Sequence, residues 1–141
     1  MFTGCVTTGS SVRYSSGTFR GKWWNYYDRG SALAGMSNFE GAIRDFKQTI
    51  DMRSKDQRMA RTYGMHFIDY FPHRELGIVY FNTGEIEKAI SELEQSLNNV
   101  ESSKAIYYLN KARKALLEVS NAVQGVSFTG SRIQFQVQIS R

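Results

Sequence analysis

Two stretches of this chain superpose at an offset of 47 residues, and that self-similarity limits the fold more than any other feature. The first runs from Tyr26 to Ile50, the second from His73 to Leu97. Gly30 aligns with Gly77, Leu33 with Tyr80, Phe39 with Ile86, Ala42 with Ala89, Phe46 with Leu93 and Ile50 with Leu97. A small residue early in each stretch (Gly30, Gly77) and another later (Ala42, Ala89) let two antiparallel helices approach closely, while the larger residues fill the groove between them. Ser37-Asn38 and Gly84 punctuate the intervening turns. With 141 residues in all, the chain has room for one domain with tails, built by stacking such pairs.

These are the signature positions of the tetratricopeptide repeat, and the chain resembles that family over residues 23–118. The second unit matches more closely, with Leu76 before its glycine. The first has Arg29 at that position, and Ser54 and Glu101 stand where the closing prolines of the family belong. The expected fold is all-α: tetratricopeptide-like helical-hairpin repeats, two units plus a capping helix, with a short C-terminal β segment. The cap is read over 102–123, where Ile106, Leu109, Ala112, Leu116, Val119 and Val123 share one side of an amphipathic helix. The strand is read from alternation, since Ile133, Phe135, Val137 and Ile139 interleave with Gln134, Gln136, Gln138 and Ser140 after a Thr129-Gly130-Ser131 turn. The domain division is then a tether over 1–22, a helical domain over 23–123 and a β tail over 124–141, the tail being the start of a truncated β domain or a strand packed on its own helices.

An ordinary repeat is about 34 residues long, so the 47-residue offset leaves an insertion of about 13, around Lys55–Asp69. Residues 51–63 contain no helix breaker and are predicted to prolong the second helix or form a short separate one, ending at Gly64 as a C-cap. Met65–Phe71 is dense in large apolar side chains and reads as a plug over the joint between units or as an aromatic ligand-facing surface. Pro72 suits a first helical position.

Phe2-Thr3-Gly4-Cys5 resembles the junction at which a bacterial lipoprotein signal peptide is cut before a cysteine that then receives lipid. Such a signal carries a charged start and an apolar stretch of about 7–15 residues, so this reading expects a longer precursor. The resemblance implies lipidation at Cys5, membrane association through that anchor, and an outer-membrane lipoprotein facing the periplasm or the cell surface. The Ser/Thr/Gly-rich residues 7–17 would be its flexible tether. Cys5 is the single cysteine, which excludes an intrachain disulfide framework and any site built on several thiolates.

Chemistry has little to be built from. Among His66, Asp69, His73 and Glu75 no metal motif is met, and with two histidines and no nucleophile elbow or phosphate-binding glycine loop the chain reads as non-enzymatic, without cofactor or metal. The net charge of +5 comes without a stacking or groove-reading motif, so nucleic acid is not the expected partner. Charge alternates along the chain, basic over 44–61, acidic over 85–101 and basic again over 102–118, as on a solvated helical surface.

The expected task is binding a protein or peptide on the concave face that the inner helices line. Helix phase selects Asn25, Arg29, Ala32 and Met36 from the first unit and Arg74, Ile78, Phe81 and Asn82 from the second as exposed partner-binding residues. The family's clamp for C-terminal carboxylates is not carried over, because Tyr27 and Ser31 stand where that clamp has Lys and Asn. Two alternatives remain: a structural subunit that forms a homo-oligomer through the strand at 132–140, and the non-catalytic front module of a larger envelope peptidase.

Overall fold

The computed structural model describes the backbone of residues 19–139 and the side chains of residues 19–125. Cys5 and the tether up to residue 18 lie outside the described residues. Five helices and one small sheet follow in the order α1 (Trp23–Gly35), α2 (Phe39–Met52), β1 (Gln57–Arg61), β2 (Phe67–Tyr70), α3 (Pro72–Thr83), α4 (Ile86–Asn99) and α5 (Ser103–Ile139). α1 packs on α2, α3 on both α2 and α4, and α4 on α5, so the helical pairs stack in sequence order.

The residues aligned by the repeat meet inside each pair. Gly30 and Gly77 are buried, and Ala42, Ala89, Phe46 and Leu93 are fully enclosed. A side chain at Gly77 would place its Cβ 2.7 Å from Cγ of Leu93 and 3.2 Å from the Ala89 carbonyl oxygen, so glycine there is what lets α3 and α4 touch backbone to side chain. Helix ends are set by local chemistry. Asn38 accepts a bond from the Gly41 amide at the start of α2, Pro72 opens α3, and Gly84, at φ 85°, takes the left-handed conformation that ends α3.

The insertion corrects the helical expectation for 51–63. α2 stops at Met52 and the chain forms an antiparallel hairpin, with Gln57 opposite Tyr70, Ala60 opposite Ile68 and Arg61 opposite Phe67. A bulge between Gln57 and Ala60 holds Met59 at φ 56°, and Gly64, at φ 54°, lies in the hairpin turn and not at a helix end. The reason is tertiary. Tyr70 is fully buried, its ring edge-on to Trp23 at 4.6 Å and to Tyr27 at 5.0 Å, and its hydroxyl lies 2.6 Å from the Arg53 carbonyl and 3.0 Å from that of Thr49. It thereby donates to the Arg53 carbonyl at the end of α2, and adds a second bond to the Thr49 carbonyl, which already accepts the Arg53 amide. Asp56 does the same for α3 from outside that helix, its carboxylate accepting from the His73 amide at 3.0 Å and the Arg74 amide at 3.3 Å. The apolar run after Gly64 divides accordingly: Tyr70 and Phe71 plug the joint, while Met65 and Phe67 face outward.

The C-terminal β segment is also corrected, and with it the strand at 132–140 and the Thr129–Ser131 turn. From Ser103 the backbone continues as one helix through Ile139. A lone strand would leave its amides and carbonyls without a ladder, and the described sheet has only β1 and β2; a helix satisfies those groups internally.

Candidate interaction surface

α1, α3 and α5 occupy equivalent places in the stack, and α3 touches both of the others. At its start the α3–α5 joint is ionic. Arg74 Nε donates to Glu75 at 2.8 Å, Arg74 Nη1 reaches the Ser102 hydroxyl at 3.1 Å, and Lys104 Nζ lies 3.0 Å from both Glu75 oxygens. Midway it is apolar, with Ile78 packed among Leu93, Ala105 and Leu109. At the far end it is aromatic: Phe81 meets Tyr108 edge-on at 5.9 Å, and Tyr107 meets Tyr108 at 5.3 Å. Lys111 Nζ stands 5.4 Å from the Phe81 ring centre, 5.3 Å from Tyr107 and 5.8 Å from Tyr108, within the range of cation–π attraction. Lys111 and Tyr107 are exposed while Phe81 and Tyr108 are half-buried. This end can therefore offer a positive charge over an apolar floor.

The partner-binding residues chosen by helix phase separate into two groups. Met36, Asn82, Phe81 and Ala32 keep exposed or half-exposed side chains near the C-terminal ends of α1 and α3. The others are engaged in holding the fold. Asn25 accepts from the Arg20 and Lys22 amides at 3.2 Å each, fixing the approach to α1. Arg29 forms a two-point ion pair with buried Asp45 of α2, at 2.5 and 2.8 Å, and its guanidinium lies over the Phe19 ring. Arg74 belongs to the network with Glu75 and lies 4.0 Å over Phe71. Ile78 corrects the expected exposure, at 8% exposed, because α5 packs across α3 at that turn.

Tyr107, Tyr108 and Lys111 were missed by the sequence reading. Treating α5 as a cap directed attention to its apolar stripe; treating it as a third inner helix in phase with α3 would have brought these residues beside Phe81. A second exposed cluster also went unread. Trp24 lies 6.4 Å from Tyr63, which stacks on His66 at 5.8 Å, and Met59 and Met65 are exposed on the same hairpin.

His73, in the first turn of α3, is buried. Its Nδ1 lies 2.6 Å from a Glu92 oxygen and its Nε2 lies 2.7 Å from the Ser54 carbonyl, so both ring nitrogens face acceptors and the imidazolium satisfies both. Burial opposes protonation, but the bonds to Glu92 and Ser54 and the nearby Asp56 charge outweigh it and hold the pKa above 6.5. A raised folded-state value means that this contribution is complete below the unfolded value of 6.5 and is lost as pH rises through the folded one. Thermal unfolding followed from about pH 6 to 9 should show Tm declining over this window, and Glu92→Gln should flatten the decline.

No helix among the described residues is long and apolar enough to cross a membrane. No protein-family model matches the chain, and a search of curated proteins found no match.

Proposed function

We propose that this chain is a protein-binding scaffold of tetratricopeptide type that performs no chemistry of its own and is held at the bacterial outer membrane by lipid on Cys5. The observation that carries the binding part is the Lys111 ammonium above the Phe81 and Tyr107 rings, on helices whose mutual packing is already complete beneath it. Rigid inner helices bind at little ordering cost, and aromatic side chains beside a cation supply both contact area and direction. A partner segment with an apolar side chain and an acidic neighbour fits this end, where Asn82, next to Phe81 in α3, is also exposed. The envelope address rests on the Phe2–Cys5 resemblance alone.

Affinity capture from a bacterial envelope extract tests the reading. The wild-type chain should retain a partner that Phe81→Ala and Lys111→Glu each release, weakening binding by about tenfold or more, or about 1.4 kcal/mol, with Tm of the Lys111 variant unchanged. Equal retention by all three would remove this surface from the proposal. For the address, a Cys5 precursor should gain lipid mass and partition into detergent, and Cys5→Ala should do neither.

A further inference from the structure

We propose that the β1–β2 hairpin docks tip first on an anionic lipid surface, its turn entering the boundary between headgroups and acyl chains and its arginines meeting the phosphates. The face is separate from the Phe81–Lys111 surface, and the docking does not depend on lipid at Cys5.

The hairpin carries large apolar side chains outward at one end. Met65 is 83% exposed, Tyr63 69% and Met59 64%, and Phe67 is exposed beside them. Trp24 of α1 joins the cluster through Tyr63. Turns are ordinarily built from small and polar residues, so an apolar cluster held in water at this turn marks a contact surface. The backbone presents it. A bulge re-aims the side chain it carries, and Met59, held at φ 56°, stands out while Ala60 beside it is fully buried.

Charge selects the occupant. Lys55, Arg58 and Arg61 on the hairpin, and Arg20 and Lys22 just ahead of Trp24, are exposed, and none has a carboxylate partner among the described residues. Arg58 and Arg61 donate to backbone carbonyls instead, that of Glu101 at 2.9 Å and that of Gly64 at 2.5 Å, which leaves their charge uncompensated. Asp56 is buried on the α3 amides, so Asp69 is the one exposed carboxylate of the hairpin, and Asp28 of α1 interacts electrostatically with His66. Cations around an apolar cluster attract a surface that is itself negative and apolar beneath, as an anionic bilayer is.

The order of residues along the hairpin matches depth in such a surface. The turn carries Tyr63 and Met65, the next pair back sets Arg61 opposite Phe67, and Arg58 and Lys55 follow toward the base. At about 3.3 Å per residue, Arg61 stands about 7–10 Å behind the turn, close to the depth of about 5–10 Å that interfacial segments reach. A lipid boundary also demands that backbone groups find partners within the chain. Three carbonyls of the turn already have them: that of Tyr63 accepts the His66 amide at 3.0 Å, that of Gly64 the Arg61 guanidinium, and that of His66 both the Thr62 amide at 2.9 Å and the Thr62 hydroxyl at 3.1 Å. A protein partner adding a strand here would need such groups open.

Sedimentation of the full chain, as the unlipidated Cys5→Ser variant, with vesicles of phosphatidylcholine alone or mixed with phosphatidylglycerol gives the test. The mixed vesicles should bind it about tenfold or more tightly than the neutral ones, and added salt should weaken the binding. Tyr63→Ser/Met65→Ser should weaken it about tenfold with Tm unchanged, since both side chains are exposed. Arg61→Gln should weaken it about fivefold and Arg61→Lys should keep most of it, whereas Lys114→Gln, which removes an exposed charge from α5, should stay within about twofold of the parent. A polarity-sensitive dye on Met65→Cys should shift to the blue on the mixed vesicles, and the same dye on Leu117→Cys, exposed on α5, should not. Absence of binding, full binding by the serine double variant, equal losses from Arg61→Gln and Lys114→Gln, or a dye at Met65 that stays aqueous would overturn the docking, the first of these leaving the cluster to a protein partner. Because Cys5 is replaced throughout, none of these results bears on whether Cys5 receives lipid.

Discussion

Gly77→Val is expected to destabilise the protein by about 3 kcal/mol and lower its Tm by about 10 °C, while Gly30→Ala stays within about 1 kcal/mol of wild type. The two glycines align in the repeat, yet their surroundings differ. A Cβ at Gly77 falls 2.7 Å from Leu93 Cγ, inside van der Waals contact, and 3.2 Å from a backbone oxygen that cannot turn aside. Leu93 is fully buried and has nowhere to retreat, so a branched side chain forces α3 and α4 apart. At Gly30 the nearest atoms belong to the Phe46 ring at 3.1 Å and Asp45 Cβ at 3.3 Å. Phe46 is as enclosed as Leu93, but the overlap there is only a few tenths of an ångström, and replacing glycine by alanine inside a helix gains about 1 kcal/mol of propensity to offset it. Denaturant melts of both variants check the contrast. Equal losses at the two sites would mean that the pairs are packed alike and that the close approach at Gly77 is not limiting.

Tyr70→Ala should cost about 4 kcal/mol, with Tyr70→Phe isolating about 1–2 kcal/mol of it as the hydroxyl's share. The ring is enclosed by Trp23 and Tyr27, and the hydroxyl joins the end of α2 to the hairpin through the carbonyls of Thr49 and Arg53. Thr49 extends the connection by donating to the Trp23 carbonyl at 2.7 Å. Burial drives the phenol up to about 12, so it remains a neutral donor across the accessible pH range. The alanine variant removes both ring and donor and should also release the hairpin, visible as faster amide exchange at Ala60 and Ile68 than in wild type. If Tyr70→Phe matches wild type in stability, the carbonyls at the end of α2 are satisfied without it and the hairpin is held by packing alone.

The readings that succeeded and those that failed differ in the range of the forces involved. Pro72 at the start of α3 and Gly84 at its end follow from backbone restrictions within one or two residues, and both are where the sequence places them. The helix expected over 51–63 lacks any local breaker; what ends it is Tyr70, docked on Trp23 and Tyr27 from far along the chain. The exposure expected of Ile78 followed from the phase of α3 alone and ignored α5. The alternation at 133–139 matched a strand period, whereas the backbone there is helical.

By itself, the sequence determined that the chain forms two close-packed helical pairs, because small residues repeated at fixed offsets are a steric requirement written into each unit. It also determined that a further amphipathic helix follows them. Only the tertiary structure decided that the insertion is a hairpin, that α5 runs on as a helix and that Lys111 stands over Phe81. The hairpin and the placement of Lys111 depend on contacts between segments distant in the chain, whose free energy no local pattern contains.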